Sequence, residues 1–242
     1  TTHDFNLVGT EYKTRRGKMI VAQGNRFSIS WPFTGMIPIF PIPKDGKFKP
    51  EVLSDFIERW AKDMLAKENK KRQGGDTYWG GKSMLKTCQA FNMAWQLQLP
   101  VAKDLYAEAR RITADWLTHE PGEKAFYYAR YPLPWSGLVG FNPSYGSEQF
   151  TDNHFHYGYL AMSVALVGMH DPAWLAKYGP PAREVVKQYA EWERGSSSYP
   201  RLRTFECWAG HSYAGGMSSG YDGNNQESSS EAVGSWAGAF FL

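Results

Sequence analysis

Two acidic residues four positions apart, Glu227 and Glu231, close the stretch Asp222-Gly223-Asn224-Asn225-Gln226-Glu227-Ser228-Ser229-Ser230-Glu231. Carboxyl groups at that spacing could act together on a polar ligand. Asp-Gly signals a turn and Asn-Asn a helix cap, so a helix starting here would carry both acids on one face. The intervening serines are small and keep that surface low, which would let an extended ligand lie close to both. The stretch also has a purely structural reading, because Asn224 to Glu227 and Ser228 to Glu231 each fit the spacing of a capping box.

A third acid, Asp152, precedes His154-Phe155-His156 and a run of apolar residues. It could cap the following helix, or it could be a carboxyl whose partly dry surroundings raise its pKa. Two histidines two positions apart point roughly 200° away from each other on a helix, so a shared metal ion is disfavoured, and a hydrogen-bonded pair in a core or cleft is the better reading. The segment Phe205 to Gly216, with Gly210-His211-Ser212-Tyr213-Ala214 inside it, mixes small residues that let a ligand approach the backbone with side chains that can bond hydroxyls. Gly74 to Ser83 resembles a phosphate loop only superficially. Position 76 is Asp where the loop requires Gly, no strand precedes it, and Tyr78 and Trp79 would block the backbone cradle.

These segments must be positioned by a mostly helical chain. From Phe5 to about Ile42 the pattern is short β-type runs, such as Met19 to Ala22, Phe27 to Trp31 and Met36 to Phe40, and Pro32, Pro38, Pro41 and Pro43 exclude helix. After Asp45-Gly46 the period changes. Pro50 suits a first turn, and Val52, Leu53, Phe56, Ile57, Trp60, Met64 and Leu65 fall at helical spacing. Further helices are expected from about Gly80 to Gln98 and from about Val101 to Thr118, paired as a hairpin around Pro100. Residues 119–149, rich in Gly, Pro and aromatics, read as a long connection with short strands. The helix after Asp152 is apolar nearly all round and therefore central. Another is expected after Pro180-Pro181, through Val185, Val186, Tyr189 and Trp192, and the last begins at the acidic stretch and runs to Leu242.

Composition bounds the class. With 242 residues, 42% hydrophobic and 21% charged, the chain can bury a real core. Its charge is only +3, and the main basic run, Lys67 to Arg72, sits where a helix should end, which disfavours a nucleic-acid partner. No apolar run reaches the length of a membrane span. Cys88 and Cys207 permit at most one disulfide and form no metal-binding pair. The first residues resemble neither a signal peptide nor an initiator, so the chain reads as beginning inside a larger protein. Aromatic content is high at 16%, with ten Trp, and flat rings can stack on sugars as well as pack a core.

Taken in order, the Asp152-Asn-His-Phe-His-Tyr-Gly, Gly210-His-Ser-Tyr-Ala and Asp222-Gly-Asn-Asn-Gln-Glu-Ser-Ser-Ser-Glu-Ala segments resemble glycoside hydrolase family 81, the endo-β-1,3-glucanases or laminarinases. Arg16-Gly17-Lys18-Met19 and Tyr78-Trp79-Gly80-Gly81-Lys82 extend the likeness over almost the whole chain. The resemblance implies hydrolysis of β-1,3-glucan with inversion, with Asp152 as general acid, Glu227 as general base and Glu231 as a supporting carboxylate. It offers Tyr78, Lys82, His156, His211 and Gln226 as holders of sugar hydroxyls, requires no metal or organic cofactor, and implies a secreted or cell-wall-associated protein. Members carry a β-sandwich, a small α/β domain and an (α/α)6 toroid. Residues 1–45 would then be the β-rich end of the α/β domain and residues 46–242 a partial toroid of helical hairpins, with the rest of the polypeptide missing. A rival of another class is a non-catalytic β-1,3-glucan-binding fragment. A third, ranked last, is a metal-dependent hydrolase using His154, His156 and Asp152.

Overall fold

The structure, a computed structural model, describes all residues except 1, 4, 16, 26–27, 31, 33–38, 40–41, 67–73, 119–127, 131–135, 141, 207–209 and 216–224, and only the backbone of 2–3, 29–30, 128–130 and 136. The chain divides into two compact units, residues 1–40 and 41–242. The first contains β1 (Thr2–His3), β2 (Asn6–Thr14), β3 (Gly17–Gln23) and β4 (Ile29–Ser30), paired antiparallel as β1 with β4 and β2 with β3. The β2–β3 register shifts between Leu7 and Glu11, where Gly9 takes a positive φ of 79° that suits an irregularity. The β-type runs expected at 27–31 and 36–40 lie largely outside the described residues, as does the basic run 67–72.

The second unit is mainly α. Among the described residues it holds α1 (Pro50–Leu65), α2 (Trp79–Gln96), α3 (Ala102–Asp115), α4 (Asn153–Gly168), α5 (Pro172–Ala190) and α6 (Ser229–Phe241). Short β5 (Tyr128–Arg130) and β6 (Ser136–Leu138), paired antiparallel, and a 3₁₀ turn at Ser147–Gln149 fall in the long connection. β7 (Phe205–Glu206) and β8 (His211–Ser212) pair ahead of the last helix. Helices α2 and α3 form the hairpin expected around Pro100.

Helix α4 is the axis of this unit, since all sixteen of its residues are buried, in keeping with a sequence that is apolar on nearly every side. It packs against α2, α5 and α6. The crossing with α6 is close because each helix contributes a glycine. A Cβ on Gly158 would stand 2.4 Å from Ser235 Cβ, and one on Gly238 would stand 2.6 Å from Met162 N. Tyr157 Oη donates to the Leu138 carbonyl at 2.9 Å, and Ser235 Oγ to Tyr189 Oη at 3.0 Å, so the buried hydroxyls also tie α4 to β6 and α6 to α5.

Two helix starts differ from expectation. Helix α5 begins at Pro172, capped by Asp171, whose carboxylate accepts from Trp174 N at 3.0 Å, and it continues through Pro180 and Pro181. Those prolines cannot bond the carbonyls of Ala176 and Lys177, but both residues are exposed, so water can serve the carbonyls and the helix survives. It ends at Ala190, leaving Trp192 exposed. Helix α6 starts only at Ser229, with Ser228 Oγ accepting from Glu231 N at 3.4 Å. Ser228 to Glu231 is therefore the working capping pair, while Asn224 lies outside the described residues.

Candidate active site

Asp152 occupies the residue before α4, but its carboxylate does not cap that helix. Its backbone is left-handed, with φ 57°, an arrangement uncommon for a residue with a side chain. Burial first, and then the charges of Glu227 and Glu231, push its pKa from 3.8 up to about 6. The side chain is thus a carboxylic acid that keeps its proton into the mildly acidic range, with no helix to stabilise.

Glu231 is the opposite case. Burial alone would raise its pKa, yet hydrogen bonds from Tyr159 Oη, Lys82 Nζ and the Ser228 hydroxyl, with the charge of Lys82, bring it down to about 2. The Tyr159 hydroxyl donates to Glu231 Oε1, and the Lys82 ion pair measures 2.9 Å. Lys82 and Glu231 are both partly exposed, so the pair contributes no more than about 1 kcal/mol by itself, and its weight is positional. Lys82 is also held by Tyr78, at 2.6 Å from its hydroxyl and 4.3 Å from its ring centroid. Burial disfavours the Lys82 charge, and the bonds to Tyr78 and Glu231 more than offset this, placing its pKa above the ordinary value. Gly81 makes the arrangement possible, because a Cβ there would lie 2.9 Å from the Tyr159 ring.

Glu227 does not share a helical face with Glu231. It precedes the cap Ser228, is exposed, and has φ 60°, with its N–H donating to Asn225 Oδ1 at 2.9 Å. The short side chain of Asn225 turns the chain back on itself and delays the helix. The two glutamates therefore meet Asp152 from different backbone geometries. What joins the three segments is main chain: Asp152 N donates to Ala214 O at 2.8 Å, and Ala214 N donates to Asn225 O at 2.7 Å.

The remaining candidates divide. Tyr78, Lys82 and His156 gather on the α2 side of the cluster, with the Tyr78 ring 5.3 Å from that of His156 and 5.9 Å from that of Tyr159. His156 is buried, with Nδ1 2.8 Å from Thr77 Oγ1. His211, half-buried on β8, bonds through Nδ1 to the carbonyl of Ser212, and Gln226 is half-buried beside Glu227. Neither makes a described contact with the carboxylates. His154 is wholly buried, and burial lowers both histidines to about 4, so they are neutral at ordinary pH. Among the described residues, no three His, Cys, Asp or Glu side chains gather in a way that could hold a metal ion. Cys88 is buried and unpaired, its thiol pushed up to about 11 by burial, and Cys207 lies outside the described residues.

Three participants are absent from the expected set. Tyr159 reads in the sequence only as a member of an apolar stripe. Asp76 Oδ1 accepts from Tyr78 N at 2.8 Å, Trp79 N at 2.6 Å and Ser144 Oγ at 2.8 Å, so it fixes the start of the helix that delivers Lys82. Its signal was present, an Asp ahead of a helical run. Thr77, beside it, holds His156.

Residues 48–241 match the C-terminal domain of glycosyl hydrolase family 81. The chain belongs to this family. A family 81 member of known structure, the enzyme CtLam81A from Clostridium thermocellum in a glutamate-to-alanine mutant form, is 34% identical and superposes with a TM-score of 0.79 over 98% of this chain and 32% of its own. Two proteins named glucan endo-1,3-beta-D-glucosidase are also similar. The one from Acetivibrio thermocellus is 37% identical over 93% of this chain and 29% of its own length, and the one from Thermobifida fusca is 32% identical over 94% and 30%. This chain thus spans about a third or less of the family 81 proteins it matches.

Proposed function

We propose that this chain carries the catalytic carboxyls of an inverting endo-β-1,3-glucanase that hydrolyses laminarin-type polysaccharide. In this reading Asp152 protonates the leaving glycosidic oxygen, Glu227 takes a proton from the attacking water, and Glu231 supports both. The observation that supports it best is the contrast between Asp152, raised to about 6 with a carboxyl that caps nothing, and Glu231, held at about 2 by three donors. An acid must keep its proton while its partner stays ionised, and environments that drive carboxyl pKa values apart are how such roles are assigned. A carboxylate as acidic as Glu231 is a feeble proton acceptor, which leaves the water to Glu227. Inversion requires room for that water, with carboxyls about 6.5–9.5 Å apart. Tyr78, Lys82, His156, His211 and Gln226 hold sugar hydroxyls. The helical hairpins form part of an (α/α)6 toroid, residues 1–45 end a preceding α/β domain, and a polysaccharide substrate implies a protein that acts outside the cell or at the cell wall.

Laminarin hydrolysis by the purified chain, and by Asp152→Asn and Glu227→Gln, tests the assignment. Each variant should fold normally and lose activity by at least about a hundredfold, the scale of general acid–base catalysis. Undiminished turnover in either would remove that residue from its role, and proton NMR of the first-formed anomer tests inversion separately. Because the chain spans about a third or less of its relatives' length, a second reading keeps its place, a glucan-binding portion without catalysis. Binding to insoluble β-1,3-glucan with no release of reducing sugar would favour it.

A further inference from the structure

Two large aromatic side chains stand exposed beside the carboxylate cluster. Trp79, in the first turn of α2, is 53% exposed, and Tyr145, in the turn before the 3₁₀ segment, is 58% exposed. Their ring centroids are 6.4 Å apart and their planes are inclined at 52°. Between them the ring of Tyr78 makes edge contacts with both, at 5.0 Å to Trp79 and 4.7 Å to Tyr145. Two exposed, mutually inclined rings therefore flank Tyr78, and they are linked to the site because the same Tyr78 holds Lys82 and Lys82 holds Glu231.

The walls are built rather than incidental. Burying an aromatic side chain is worth on the order of 2 kcal/mol, so leaving these two about half exposed forgoes about 1 kcal/mol at each. One buried carboxylate anchors both walls, since Asp76 Oδ1 accepts from Trp79 N on one side and from Ser144 Oγ, next to Tyr145, on the other. Tyr145 is held with φ 52°, and its carbonyl accepts from Thr151 Oγ1 at 2.7 Å. A ring fixed before its ligand arrives loses little freedom on binding.

We propose that Trp79 and Tyr145 form a stacking notch for glucosyl units of the polysaccharide lying away from the bond that is cut, and that its angle selects the β-1,3 linkage. This rests on the glucanase reading above. A β-glucopyranose carries its hydroxyls equatorially, so each broad face presents C–H groups, which suit the electron-rich face of an aromatic ring. In a β-1,3-linked chain successive units are turned relative to one another, and neighbouring faces can meet two inclined walls. A β-1,4-linked chain is a flat ribbon whose faces are parallel, and it can use only one.

The test is equilibrium binding of laminarihexaose and cellohexaose to the full 242-residue chain carrying Asp152→Asn, so that hydrolysis plays no part. Trp79→Ala, and Tyr145→Asn, which tolerates the left-handed backbone, should each weaken laminarihexaose binding by about tenfold, the loss of one stacked ring. Trp79→Phe should restore most of it, which a general structural defect would not allow. The parent should prefer laminarihexaose over cellohexaose, and the preference should shrink in both variants. Laminarihexaose binding unchanged in Trp79→Ala and Tyr145→Asn overturns the notch while leaving the glucanase reading intact, as does weakening that is equal for both sugars. If the Asp152→Asn parent binds neither sugar, the glucanase reading falls and the notch with it.

Discussion

Replacing Glu231 with glutamine should make Asp152 a stronger acid. Burial, Glu227 and Glu231, in that order of size, together carry the Asp152 pKa from 3.8 to about 6. All three act in the same direction, so removing the smallest should lower the value while burial and Glu227 still hold it above 3.8. Glutamine keeps the shape of the side chain and an oxygen that can still accept from Tyr159 and Lys82, so the change isolates charge. Carbon-detected NMR titration of the Asp152 carboxyl reads it without requiring turnover. In the active chain the alkaline limb of the pH profile for kcat/KM, where the general acid loses its proton, should move to lower pH by the same amount. Glu227→Gln should lower the NMR midpoint further, since its contribution is larger. A midpoint that stays still or rises in Glu231→Gln, or a parent Asp152 that titrates near 4, would refute the reasoning that the carboxylates hold the proton on Asp152.

Acid should destabilise the chain through its buried histidines. His154 falls from 6.5 to about 4, so as pH drops the unfolded chain takes up the proton first, and stability is lost progressively between those values, by up to about 3 kcal/mol. Glu231, depressed from 4.5 to about 2, adds a further loss only below 4.5. Urea unfolding at pH 7 and pH 4 should show a smaller difference in His154→Phe than in the parent, and an equal difference would remove His154 as a source. Gly81→Ala should displace the Tyr159 ring and cost about 1–3 kcal/mol despite alanine's better helix propensity. Gly234→Ala on α6, where an added Cβ meets nothing within 4 Å, should instead stabilise by up to about 1 kcal/mol. Thermal unfolding of the pair checks both, and a stabilised Gly81→Ala would contradict the close contact.

Helices α1 to α4 were legible because their signals are local: Pro50 at a first turn, stripes at helical spacing, and a segment apolar all round that can only be central. Pro180-Pro181 misled for a physical reason, since prolines break a helix only where the lost bonds cannot be replaced by water. The acidic stretch misled differently. Spacing of four implies a shared face only if both residues are helical, and Asn225 bonding the Glu227 N–H is a competitor that spacing does not reveal. At the site, the residue types of Asp152, Glu227, Glu231 and Lys82 marked charged groups that the fold brings into mutual electrostatic reach. Tyr159 gave no such sign, because an apolar stripe conceals which member turns its hydroxyl toward a carboxylate one helix away. That partner is set by the crossing of α4 with α6, which depends on Gly158, next to Tyr159, and equally on Gly238, some eighty positions away in the sequence.

The peptide groups of Ala214 have a consequence for variation. The Ala214 carbonyl receives the amide of Asp152, and its own amide reaches the carbonyl of Asn225, two residues before Glu227. The segments carrying Asp152 and Glu227 are therefore tied together through main-chain atoms of a single residue, which every amino acid except proline supplies. The side chain of Ala214 is itself buried with Phe155, Tyr159 and Ala232, so a larger residue there would press on α4 and α6 even though the two peptide bonds could still form. Variation at position 214 is thus limited by space and by the exclusion of proline, and not by any chemistry of its side chain.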